Sequence, residues 1–213
     1  MDKDDDRFFF VHYYERVGII YYDNEWGQGY RESVKEYLAA HDAELVSAES
    51  YIFSSLDVRS QLLKLKSAKL DGVIIIDATR GELFDQAREV GLNTPLLSEW
   101  EVETVDGKAR ASLEGVHYFL PIGEDKSFDE KFIAKYNRTA NMVERDSYDA
   151  LMLFAKALEY CPDHSPQCMT DYVTSLNGYP GAGGNLRFNK DSWSFDKPFV
   201  LKTVRNGTFV EVS

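Results

Sequence analysis

Val-Gly-Ile-Ile-Tyr-Tyr-Asp-Asn-Glu-Trp-Gly-Gln-Gly, residues 17 to 29, passes from an apolar and aromatic run into a polar, turn-forming one within a few positions. Val17 to Tyr22 suits a short buried strand, Asp23 to Gly27 a turn, and the spacing of Val34, Tyr37 and Leu38 beyond it a helix with one apolar face. Outward from this unit the alternation continues. Leu45 to Ile52 reads as a second strand, Asp57 as the cap of a helix carrying Leu62, Leu63 and Leu65, and Gly72 to Ile76 as a third, β-branched strand. A helix over Glu82 to Val90 ends at Gly91, and Pro95 to Ser98 and Gly115 to Phe119 supply two more strands. Strands alternating with helices, two of them uniformly apolar, predict an α/β fold with a doubly wound parallel sheet. The first strand lies inside it, in the order second, first, third, fourth, fifth, because the first two crossovers fall on opposite faces.

After Pro121 the character changes. Phe128, Phe132 and Tyr136 start a helical stretch, a second runs through Leu151, Phe154, Ala157 and Leu158, and a third covers Met169 to Leu176. Glycines then cluster at 178, 181, 183 and 184, before strand-like segments at Leu186 to Phe188, Phe199 to Val204 and Phe209 to Val212. Asn206-Gly207 joins the last two as a C-terminal β-hairpin.

The formal net charge of −12 argues against a phosphate backbone or an anionic bilayer as partner, so no nucleic acid is expected. No apolar run approaches the roughly 20 residues of a membrane helix. Residues 1 to 16 read as an N-terminal extension whose acidic start, Asp2 and Asp4 to Asp6, is a solvated end.

In an open α/β sheet the ligand crevice lies beyond the carboxyl ends of the strands. The first strand delivers Tyr22, Asp23, Asn24, Glu25 and Trp26 there, the third Asp77, Ala78 and Thr79, and the fourth Ser98, Glu99, Trp100 and Glu101. Carboxylates, hydroxyls and indoles on one rim suit an ammonium group with an apolar body against an aromatic wall. Plainer roles compete: Asp23 and Asn24 are common turn formers, Glu99 and Glu101 can be surface charge, and Trp26 and Trp100 can pack on their own domain. His12, His41, His117 and His164 have no metal-ligand spacing, and Cys161 with Cys168 lacks a second ligand pair, so no metal is expected. Nucleophile elbows and phosphate-cradling or dinucleotide loops are missing, which leaves no cofactor and no catalytic residue to name. Paired carboxylates such as Asp23 and Glu99 keep an α/β enzyme only as a minor alternative.

Residues 17 to 29 resemble the entry into the second lobe of type I periplasmic binding proteins of the branched-chain amino acid ABC transporter family. Further pieces follow in family order: Asp57 with Gln61 and Leu62, Leu70-Asp71-Gly72-Val73, and Gln86-Ala87-Arg88-Glu89-Val90-Gly91-Leu92 with Pro95. Tyr148-Asp149-Ala150 and Tyr179-Pro-Gly-Ala-Gly-Gly-Asn-Leu-Arg-Phe with Asn206-Gly207 complete the series. The resemblance implies an extracytoplasmic, periplasmic or extracellular, non-enzymatic solute-binding protein that captures an amino acid or similar small polar ligand for an ABC permease. A receptor sensing the same ligands is the alternative. The resemblance places second-lobe ligand contacts near Tyr22, Trp26, Asp77, Ala78, Thr79, Ser98, Glu99 and Trp100, and the strand-exit reading adds Asp23 to the expected ligand-binding residues. The resemblance also divides the chain into a second-lobe domain over 17–138, a helical segment over 139–183 that normally packs on a first lobe, and strands over 184–213 that return to the second lobe. A first lobe would precede Val17 in such proteins. Without it the helical face is exposed, and a homodimer through those helices is one way to cover it. Cys161 and Cys168 flank a loop with Pro162 and Pro166, which either closes a short disulfide in an oxidising compartment or carries two free thiols.

Overall fold

The computed structural model describes residues 14–77, 81–104, 111–122 and 125–212. The decisive stretch forms β1 (Arg16–Tyr22) and α1 (Glu25–Ala39), followed by β2 (Glu44–Tyr51), α2 (Arg59–Ser67), β3 (Gly72–Ile75), α3 (Glu82–Glu89) and β4 (Leu96–Glu99). A 3-10 turn (Trp100–Thr104) and β5 (His117–Pro121) come next. With β9 (Phe199–Arg205) and β10 (Thr208–Glu211) the sheet has seven strands in the order β10-β9-β5-β4-β3-β1-β2. The five strands from β2 to β5 are parallel and stand in the order that their crossovers predict.

Alternate residues of the central strands feed two cores. Ile20, Val73 and Ile75 pack with Leu62 and Leu65 of α2 and with Leu83, Phe84 and Ala87 of α3. Ile19, Tyr21, Ile74 and Ile76 pack on the other face with Leu38 of α1. Successive strand side chains point to opposite faces, so strands buried on both sides must be apolar throughout, as Gly72–Ile75 is. The C-terminal hairpin turns through Asn206 and Gly207, both at positive φ, and Glu114 accepts their two backbone N–H groups at 2.9 and 3.2 Å.

The chain divides into two compact units, one running to Leu120 and resuming at Val200, the other holding Pro121–Phe199. The second contains α4 (Lys126–Tyr136), α5 (Met142–Tyr160), α6 (Pro166–Thr174) and a three-stranded antiparallel sheet of β6 (Asn177–Gly181), β7 (Gly184–Asn189) and β8 (Ser194–Asp196). Asn141 and Glu144 make a reciprocal capping box that starts α5, and Ser165 with Pro166 starts α6. A disulfide joins Cys161, at the end of α5, to Cys168, with Cα atoms 5.9 Å apart.

One sequence expectation needs correction. Asp57 does not cap α2: the helix begins after Val58, which is fully buried and donates its N–H to Gln86 Oε1 at 2.8 Å, while Asp57 accepts the Arg59 N–H at 3.2 Å. In the glycine-rich stretch, Asn177–Gly181 is a strand paired to β7. The two compact units divide at 120/121 and 199/200. The α4 helix is tied to α5 by the Asp129–Arg145 ion pair at 2.5 Å and the Phe128–Tyr148 ring contact. The strands β7 and β8 close a sheet with β6 before the chain rejoins the seven-stranded one.

Candidate functional site

The parallel strands deliver their ends to one rim, whose shape is set first by the turn after β1. Asn24 is extended and accepts the Gly27 N–H on its side-chain oxygen at 2.8 Å, so it is the N-cap of α1. Gly27 has no alternative: a Cβ there would lie 2.0 Å from the Tyr22 carbonyl oxygen. Asp23 donates its N–H to the Tyr51 carbonyl at 2.8 Å and accepts the Gln28 amide at 3.0 Å. Tyr22 leans toward the end of β2, its ring 4.7 Å from Phe53 and 5.7 Å from Tyr51. Phe53 is itself half exposed, which gives the rim an apolar lip on that side.

The charged part lies at the ends of β3 and β4. Glu99 is only 7% exposed; its Oε2 accepts the Tyr30 hydroxyl at 2.8 Å, and its Oε1 is buried with no hydrogen-bond partner among the described residues. Burial pushes the Glu99 carboxyl up to about 7; the Tyr30 hydrogen bond opposes the shift, and the neighbouring charges of Glu101 and Asp77 add to it. Glu101 is raised for the same reasons, burial first and Asp77 second, and burial beside Glu99 raises the Tyr30 hydroxyl. Asp77 is buried and accepts the Gly81 N–H at 2.6 Å. Trp26, 38% exposed, meets Tyr30 edge to face with ring centres 5.3 Å apart. Among the described residues these acids form no group able to hold a metal ion.

Of the residues expected from sequence, the structure therefore gathers Trp26, Asp77 and Glu99. Asp23 shapes the turn, and Ser98 is buried with its hydroxyl donating to the Ile75 carbonyl at 2.7 Å, tying β4 to β3. Trp100 is half buried at the start of the 3-10 turn, and Ala78 and Thr79 lie outside the described residues. Sequence reasoning missed Tyr30. Its signal was present, since Trp26 and Tyr30 stand four apart on α1 and so share one face, but its partner is 69 residues away.

A second missed residue links two motifs in Pro121–Phe199. Asp149 is buried on α5 and its two carboxylate oxygens accept the Ala182 and Gly183 N–H groups at 2.7 and 2.8 Å, pinning the turn between β6 and β7. Gly181 packs against the same carboxylate, with only 2.5 Å from its Cβ position to Oδ2. Tyr-Asp-Ala at 148 to 150 and the glycine-rich stretch are thus two halves of one contact.

Residues 10–208 match the sequence model of the periplasmic binding protein family. A search of curated proteins gives no match. Among solved structures, an extracellular ligand binding receptor from Desulfohalobium retbaense is similar with a TM-score of 0.80 at 21% identity, over 97% of this chain and 38% of that one. A leucine binding protein from Thermotoga maritima (TM-score 0.77, 17% identity) is similar over 94% of this chain and 60% of its own. The solute binding protein of an ABC transporter from R. palustris, solved with benzoate (0.77, 15%), is similar over 97% of this chain and 60% of its own. The chain thus spans less than two thirds of the length of these structures, and at these identities the likeness is one of fold.

Proposed function

The chain belongs to the periplasmic binding protein family, and on that premise we propose that it captures an amino acid or related small polar solute outside the cytoplasm for an ABC permease. The observation that carries this reading is Glu99: a buried carboxylate at the mouth of a parallel sheet, one oxygen held by Tyr30 and the other without a partner among the described residues. A buried, incompletely satisfied carboxylate is costly on its own and is stabilised by a cationic donor, so it is suited to an ammonium group. Trp26 and Trp100 supply aromatic surface for the rest of the solute. The names of similar structures span leucine and benzoate, so the family premise leaves the solute open. A receptor that senses the same solute is a second reading, supported by the name of the Desulfohalobium structure. The comparisons give no support to a homodimer.

Titrating the full chain with the twenty amino acids, followed by thermal shift and calorimetry, tests the proposal. At least one should bind, with affinity reduced about tenfold or more by Glu99→Gln, the size of one charge-assisted hydrogen bond. Trp100→Ala should weaken it as well. Binding that is indifferent to both substitutions would move the site elsewhere.

A further inference from the structure

We propose that the rim around Glu99 selects a solute whose cationic part carries a guanidinium or a second positive charge, the class of basic amino acids and their amines, over apolar amino acids with a single ammonium. This rests on the solute-capture reading above and narrows it. Asp77 follows β3, Glu99 ends the neighbouring strand β4 and Glu101 stands two residues on in the 3-10 turn, so three acids leave adjacent strand ends. The charge of Asp77 raises both glutamates and that of Glu101 raises Glu99. Among the described residues, two cations of neighbouring elements are engaged elsewhere. Arg31 of α1 donates to the Tyr21 hydroxyl and pairs with Glu32, and Lys202 of β9 pairs with Glu103, which also accepts the Tyr118 hydroxyl at 2.8 Å. Glu99 and Glu101 have no ion-pair partner among the described residues.

The unpartnered Oε1 of Glu99, more than nine-tenths buried with its side chain, marks where a donor belongs. Oε1 is covered, so a donor meets it only after the carboxyl group turns, while Glu101 is half-buried. One ammonium offsets one charge and leaves the second glutamate uncompensated in a partly desolvated rim. A guanidinium offers five donors in a planar fork that can bridge two carboxylates, and a second ammonium offsets the second charge.

The test is calorimetry at pH 8 on the full chain with agmatine, arginine and leucine, in wild type, Glu99→Gln and Glu101→Gln, each variant checked for folding by circular dichroism. Agmatine and arginine should bind about tenfold or more tighter than leucine, a ratio that one extra charge contact supplies. Glu101→Gln should reduce that ratio to about threefold or less, and raising salt in the wild type to about 0.5 M should do the same without any substitution. Leucine binding as tightly as arginine, yet lost in Glu99→Gln, would overturn the charge class and leave solute capture standing. A preference for arginine that survives both Glu101→Gln and salt would overturn its assignment to this rim. If neither these probes nor any other amino acid binds in a Glu99-dependent way, both readings fall together.

Discussion

Glu99→Gln should change how the stability of this protein depends on pH. The carboxyl sits at about 7 in the folded chain against an ordinary value of 4.5, because burial and nearby acids disfavour its charge. Between these values the folded chain holds a proton that the unfolded chain releases, so stability falls as pH rises from about 4.5 to 7 and is flat above. Some 2.5 pH units at about 1.4 kcal/mol each gives a loss of about 3 kcal/mol from this one group. Glutamine keeps the acceptor for Tyr30 and removes the charge, but puts a buried amide where Oε1 has no partner among the described residues, at a cost of about 1 to 2 kcal/mol. The variant should therefore be less stable than wild type by about 1 to 2 kcal/mol at pH 5 and more stable by about the same amount at pH 8. Urea denaturation followed by circular dichroism at the two pH values measures both. Contributions from Glu101 and other acids are common to the two proteins and largely cancel. A variant that is destabilised equally at pH 5 and pH 8 would refute the reasoning, because Glu99 would then be ionised throughout.

Gly181→Ala should cost about 2 kcal/mol or more in urea denaturation, since its Cβ would lie 2.5 Å from the Asp149 carboxylate, and a neutral outcome would mean that the turn can move. Gly29→Ala, inside α1 with nothing within 4 Å of its Cβ position, should instead stabilise by about 0.5 to 1 kcal/mol. Asp149→Ala should cost about 3 kcal/mol by stranding two buried N–H groups, and a loss below about 1 kcal/mol would show that water replaces the carboxylate. Exported protein unfolded without reductant should show no titratable thiol, and reduction should lower stability by about 2 kcal/mol, the size expected for so short a loop.

Local pattern alone was enough for the architecture. Val17 to Tyr22 and Gly72 to Ile75 are apolar at every position, as strands covered on both faces are, and the order of the parallel strands follows from right-handed crossovers of which the first two fall on opposite faces. Asn206-Gly207 announces its hairpin because two consecutive residues at positive φ are a backbone property of that pair. The rim was legible only as a set of strand exits. Which of them belong together was decided by contacts between residues far apart in the chain: Tyr30 with Glu99, 69 positions away, and Asp149 with Ala182, 33 away. Periodicity reports the face on which a side chain lies and says nothing of which distant partner shares that face. The burial that lifts Glu99, and the hydrogen bond by which Ser98 ties β4 to Ile75 of β3, exist only once the strands stand side by side.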